Sequence, residues 1–299
     1  MAPIQTVAIA GATGLLGKPI LAALLSANYT VTALTRAGSN PTFPPGVTIK
    51  EIDYSSPTSL EAALQGQDAL ISAVTTTSLA TQYPLFSAAI KAGVKRILPS
   101  EFGSDTTVEA NKSNPVYKQK IEVEQWLAEK VKGTETSYTS VINNCFLDWG
   151  LNAGFLLNAK EKDISLWDGG ETEYSVTTLA GVAKGVVGIL KHPDETRNRH
   201  VRIHDAVLTQ RKLLKIAQKV LGEEGWTVDE PSTKEAEEKA WKVFKAEPSN
   251  VMGWIVGFLQ RAIFSEANKP KFGEEDSELL GVPRVTDAEV GEFIKKAAQ

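Results

Sequence analysis

The sequence predicts an α/β protein: a Rossmann-type, doubly wound parallel sheet with a smaller, mostly helical region toward the C-terminus. Three observations carry this. Short apolar runs alternate with amphipathic stretches through the first half of the chain, the pattern of strands buried on both faces and connected by helices. The first run, "TVAIA", leads into three glycines at spacing three: Gly11, Gly14 and Gly17. The alternation stops after Asn144, and five of the six tryptophans lie beyond Ser140. A chain of 299 residues has room for a nucleotide-binding domain and a companion region.

The elements follow in order. "TVAIA" reads as a buried strand, and residues 15–27 place Leu16, Ile20, Leu21, Leu24 and Leu25 on one helical face. "TVTAL" is a second strand and the alternating "VTIKEID" a third. "PTSLEAALQ" is a helix with proline near its start. "DALISAV", a helix over "TQYPLFSAAIKAG", "VKRILPS", a long helix over residues 114–132 and "SYTSVINN" complete six strands. Beyond them, residues 148–159 look helical, and "DISLWDGGETEYSV" reads as a hairpin around Gly169 and Gly170. A helix over 176–190, a strand "RHVRIHD" and helices at 209–221, 234–244, 251–264 and 287–298 finish the chain. The expected division is a dinucleotide-binding domain over residues 1–150, with 177–205 returning to it, and a substrate-binding region over 151–299.

Composition excludes several classes. The net charge is −4 and no basic block occurs, so no nucleic-acid surface is expected. The longest apolar run, "VMGWIVGFL", is far too short to span a bilayer, and no membrane partner is expected. The N-terminal apolar stretch lacks a basic lead and is broken by glycines, unlike a secretory signal. The single cysteine, Cys145, cannot form an internal disulfide and reads as packed. His192, His200 and His204 show no metal-ligand spacing, and His204 reads as structural. The expectation is a soluble, cytoplasmic monomer or homodimer without metal.

The glycines stand between an apolar strand and an amphipathic helix. A phosphate needs open backbone N–H groups at a helix N-terminus, where the aligned peptide dipoles favour an anion. Glycine lets the chain turn, the phosphate approach and the helix pack close. The stretch Gly11, Thr13, Gly14, Leu15, Leu16 and Gly17 is therefore a candidate dinucleotide loop. The second strand should end beside the adenosine ribose. There "LTRAGSN" offers Arg36 and no acid. A guanidinium can fork onto a 2′-phosphate, so the expected cofactor is NADPH, with Ser39 and Asn40 as further donors.

"GATGLLG", Arg36, "RILPSEFG", "KIEVEQWL", "SYTSVINNCF" and "FGEEDSELLGVP" together resemble the NmrA-like branch of the atypical short-chain dehydrogenases. Within that branch the isoflavone reductase and phenylcoumaran benzylic ether reductase group is most similar. The resemblance implies a Rossmann domain, NADPH and a small substrate held between the two regions.

Hydride transfer leaves a developing anion that needs a proton. The Tyr-x-x-x-Lys pattern of ordinary short-chain dehydrogenases is missing: no tyrosine has a lysine four residues later. The resembled reductases instead carry a lysine in a K-x-x-[IV]-x-x-x-[IL] setting on the long helix. Lys120, Val123 and Leu127 match it, and Lys120 shares their helical face. This implies that Lys120 transfers the proton and touches the cofactor.

Thr75 and Thr76 follow the fourth strand, where ribose and diphosphate pass, and Asn143 ends the sixth. Glu101 and Phe102 close the fifth strand at the ligand-binding edge; Glu101 is a candidate substrate contact or a helix-capping acid. Phe146 and Trp149 are candidate substrate contacts. After "NNCF" the chain departs from the family with "LDWGL", which reshapes the pocket. Two other functions share these features: a dinucleotide-sensing regulator without turnover, and a dinucleotide-fold enzyme of non-redox cyclisation or isomerisation.

Overall fold

The structure, a computed structural model, describes residues 3–299. Its centre is a parallel sheet made of β1 (Thr6–Ala10), β2 (Thr30–Arg36), β3 (Val47–Ile52), β4 (Ala69–Ser72), β5 (Arg96–Leu98), β6 (Ser137–Ile142) and one later strand. Between them run α1 (Gly17–Ser26), α2 (Pro57–Leu64), α3 (Gln82–Lys91), the short α4 (Glu109–Lys112) and α5 (Pro115–Lys130). The chain continues through β7 (Cys145–Phe146), α6 (Leu147–Asn152), β8 (Asp163–Ser165), β9 (Tyr174–Thr177), α7 (Leu179–Lys191) and β10 (Arg199–Arg202). It ends with β11 (Ala206–Leu208), α8 (Gln210–Leu221), β12 (Thr227–Asp229), α9 (Thr233–Ala246), α10 (Val251–Phe264) and α11 (Asp287–Ala297).

The sheet order is β10-β6-β5-β4-β1-β2-β3, with every neighbour parallel. Chain order reverses between β1 and β4, and ligands of open α/β sheets bind at that switch point, off the carboxyl ends of the strands. One face of the sheet is covered by α1 and α7, which bury Ile20, Leu24, Val182 and Val186 with Ile9 and Val201. The other is covered by α2, α3 and α5 through Leu60, Leu64, Phe86, Val123 and Leu127. A separate core in the C-terminal part joins Leu213, Tyr174, Phe264 and Ile294. A smaller one seats α9 and α10 on the start of α5, with Trp254 and Phe258 against Val116 and Tyr117.

Local chemistry starts most helices. Ser56, Asn114, Thr178, Thr209 and Ser232 each accept a backbone N–H from the first turn of α2, α5, α7, α8 and α9, and Thr286 with Glu289 forms a capping box on α11. The first helix is an exception: α1 has no side-chain cap and no acid in its first turn.

Two sequence expectations fail. The segments expected to pair as a hairpin belong to different sheets. Gly169 and Gly170 do turn the chain at φ +89° and +74°, but β8 pairs with β12, while β9 lies between β7 and β11. The turn is tied instead to α9, where Asp168 accepts the Thr233 amide at 2.9 Å. The helix expected over 148–159 stops at Asn152. Gly154 takes φ +68°, and Phe155 and Leu156 fold back to the Gly150 carbonyl at 2.9 and 3.1 Å.

Candidate active site

At the end of β1 the backbone turns at Gly11 with φ +81°. A Cβ there would overlap the Ala73 carbonyl, just past β4. The Gly14 amide donates to the Gly11 carbonyl at 2.9 Å, closing the loop. A Cβ on Gly17 would overlap that same carbonyl, so Gly17 sets how closely α1 approaches the strand. At Gly14 an added Cβ would meet only the Gly11 oxygen, at 3.2 Å. Its other side is open, facing a cleft of about 570 Å³.

That cleft brings together Gly11, Thr13, Gly14, Arg36, Ser39 and Thr75 from the ends of β1, β2 and β4. Among the described residues no carboxylate lines it. The Arg36 guanidinium makes no hydrogen bond or ion pair among the described residues, and the Arg36 carbonyl is fixed by the Ser39 hydroxyl. An uncapped helix start, a glycine cradle and an unpaired guanidinium without a nearby acid suit a phosphate-bearing dinucleotide. Phe43 and Tyr54 also line the cleft. They come from the loops flanking β3, and nothing local in the sequence marks them.

The other candidates lie elsewhere. Thr76 begins a 3₁₀ turn and is exposed, while its neighbours Thr75 and Thr77 line the cleft. Leu16 packs into the core beneath α1. Leu15 is exposed and lines a second cavity of about 290 Å³ with Asp148, Trp149, Leu179, Phe293 and Lys296. Phe146 packs partly buried against the sheet core, and Phe102 is buried with φ +23°. Asn143 is fully buried. Its side-chain amide donates to the Asn144 carbonyl at 3.0 Å, and its Oδ1 has no hydrogen-bond partner among the described residues.

Lys120 lies on the inner face of α5, which also carries the fully buried Val123 and Leu127. Its Nζ donates to the Glu101 carbonyl, just beyond β5 and at the same sheet edge as the glycine loop. Burial lowers the Lys120 pKa, and the Glu101 carboxyl opposes that. Burial also pushes the Glu101 carboxyl up to about 7, with Lys120 pulling down and Glu124 adding to the rise. Lys118, two residues earlier, points to solvent beside Glu122. Tyr117 is buried and donates to the Ser104 hydroxyl at 2.9 Å, and burial raises its phenol to about 12. Cys145 is buried, its thiol also pushed up to about 12. His204 is held by Ser175 at 2.9 Å and stacks on Phe272. Among the described residues no group of His, Cys, Asp and Glu could hold a metal, and no helix is long and apolar enough to cross a membrane.

The profile of the NmrA-like family matches residues 3–233. The chain belongs to the NmrA-like family. It is 31% identical to the oxidoreductase poxI of Penicillium oxalicum, over 94% of this chain and 91% of that protein. It is 36% identical to the oxidoreductase aprR of Aspergillus flavus, over 75% and 76%. Among solved structures it resembles the binary complex of leucoanthocyanidin reductase and NADPH from Vitis vinifera, with a TM-score of 0.78 and 20% identity, covering 97% of this chain and 99% of that one. This NmrA-like chain is an enzyme of the oxidoreductase class.

Proposed function

We propose that the chain is an NADPH-dependent reductase of a small aromatic or secondary-metabolite substrate, with Lys120 as the proton-transfer residue. The observation that carries this is a half-buried lysine with lowered pKa at the sheet edge shared with a glycine cleft that lacks carboxylates. Kinship with oxidoreductases and the likeness to an NADPH-bound reductase support it.

NADPH, when bound, supplies the hydride. The glycine loop and the start of α1 would hold its diphosphate, and Arg36 its 2′-phosphate. Thr75 extends the cradle beyond β4. Lys120 would supply the proton that the developing anion requires. Burial makes its ammonium a stronger acid than a surface lysine, and the Glu101 carbonyl fixes Nζ in place. The cavity shared by Leu15 and Trp149 is a candidate wall for the substrate.

The test is turnover of NADPH with a panel of aromatic ethers, enones and imines, following absorbance and product mass. Lys120→Met should lower turnover by roughly 10²–10⁴ while NADPH affinity changes little. Lys118→Met should be nearly silent. Wild-type speed in Lys120→Met would remove the lysine from the mechanism. Tight NADPH binding with no turnover on any compound would favour a dinucleotide-sensing regulator.

A further inference from the structure

The proton that Lys120 gives up must be replaced, and its surroundings offer a row of groups to replace it. Lys120 and Glu124 are one turn apart on α5, so they share a face. The Glu124 carboxylate meets His200 Nε2 at 2.6 Å, and His200 belongs to β10, the edge strand of the sheet. Val201 is buried in the core on the α1 and α7 side, so its neighbour His200 faces α5. Glu101 lies beside Lys120, its Oε1 buried without a hydrogen-bond partner among the described residues. Exposure falls inward along the row. The His200 side chain is 25% exposed and that of Glu124 11%, while Glu101 is 3% exposed.

We propose that His200, Glu124 and Glu101 form a proton-delivery row that recharges Lys120 from the surface after each turnover. This rests on the lysine reading above. When the Lys120 ammonium has given its proton to the substrate anion, the Glu101 carboxylic acid returns one to Nζ. Glu124 reprotonates Glu101, the His200 imidazolium reprotonates Glu124, and His200 takes its proton from water. No redox partner is involved, and one proton enters for each one consumed.

The electrostatics suit these steps. Glu101 is acidic enough to donate yet keeps a large share of its acid form near neutral pH, because burial raises it to about 7. Burial works against the imidazolium of His200, but Glu124, Asp105 and Glu101 outweigh it and raise the pKa. Of the other groups facing this cluster, Asp105 is engaged by Arg202 at 2.7 Å, and Tyr138 on β6 is kept neutral by burial and by Glu124. These roles are distinct from substrate contact: Glu124 and His200 act through Lys120.

The first arm of the test needs no substrate. NMR titration of the three imidazoles in the NADP⁺-loaded protein, with His200 assigned by His200→Gln, reads the coupling directly. The His200 midpoint should lie above that of an ordinary histidine. It should fall in Glu101→Gln, rise in Lys120→Met and stay put in Lys118→Met. A folded protein whose His200 midpoint ignores both Glu101→Gln and Lys120→Met would overturn the row. The second arm uses whichever panel compound is reduced. His200→Ala should slow turnover by roughly tenfold, less than loss of the transferring group itself, and added imidazole should restore it. Full speed in His200→Ala with no response to imidazole would defeat the row even if Lys120→Met is crippled. Full speed in Lys120→Met would instead defeat the lysine reading beneath it.

Discussion

Arg36 shows what one residue decides. It ends β2 in a cleft with no carboxylate on its walls, and its guanidinium makes no hydrogen bond or ion pair among the described residues. A buried or paired arginine would already be satisfied. This one is available to a phosphate, with which a charge-assisted pair contributes about 1–3 kcal/mol. Arg36→Ala should therefore weaken NADPH binding by roughly 10–100-fold and leave NADH nearly unchanged, as read by cofactor fluorescence titration. Equal affinities of the wild type for the two cofactors would refute the assignment. Arg36 was legible in the sequence because strand, loop and missing acid are neighbours along the chain. Glu124 and His200 were not legible together. They lie 76 residues apart, and only the placement of β10 beside β6 makes them partners. The i,i+4 spacing of Lys120 and Glu124 was the one local signal.

At the scale of elements, the strand-loop-helix unit at the N-terminus was legible for the same reason: its instructions are local. The three glycines nevertheless do different work. Gly17 has no room for a side chain, since a Cβ would overlap the Gly11 carbonyl. Gly17→Ala must push α1 off the sheet and should cost about 1–3 kcal/mol, the usual range for overpacking, measurable as a lower urea midpoint. Gly14 has space on its cleft side. A Cβ at Gly14 presses only on the Gly11 oxygen, at 3.2 Å, so Gly14→Val should cost less stability than Gly17→Ala yet abolish binding of both cofactors. A stable Gly14→Val that still binds NADPH would mean that Gly14 serves only the turn. The failed hairpin illustrates the opposite case. Two glycines specify a reversal, but not which strands will pair after it. Here β9 gains partners on both sides, and Asp168 anchors the turn to α9, 65 residues away. Such non-local choices leave no trace in a short window of sequence.

For the whole molecule, the buried acids set how stability varies with pH. An ordinary glutamate releases its proton near 4.5, while Glu101 in the fold holds its proton to about 7. Between those values the native state keeps a proton that the unfolded chain has lost. Stability therefore falls as pH rises through that window and stays lower above it. Asp205, raised to about 6 by burial, acts in the same direction. So does His200, whose pairing with Glu124 is fully favourable below the ordinary histidine range and is lost as pH rises through its higher folded value. Asp68, lowered to about 2 against its burial by Lys95 and the Thr6 and Gln5 amides, acts oppositely but only in acid. Glu101, Asp205 and His200 should thus lower the urea midpoint of the wild type from pH 5 toward pH 8, against the opposite contributions of Lys120 and His204, whose pKa values burial lowers. Glu101→Gln keeps the shape of the side chain and removes its charge. It should match the wild type near pH 5 and exceed it at pH 8, by at most about 3 kcal/mol for a shift of this size. Parallel pH curves for the two proteins would show that Glu101 titrates as an ordinary carboxyl, and the acid form on which proton return to Lys120 depends would then be absent at neutral pH.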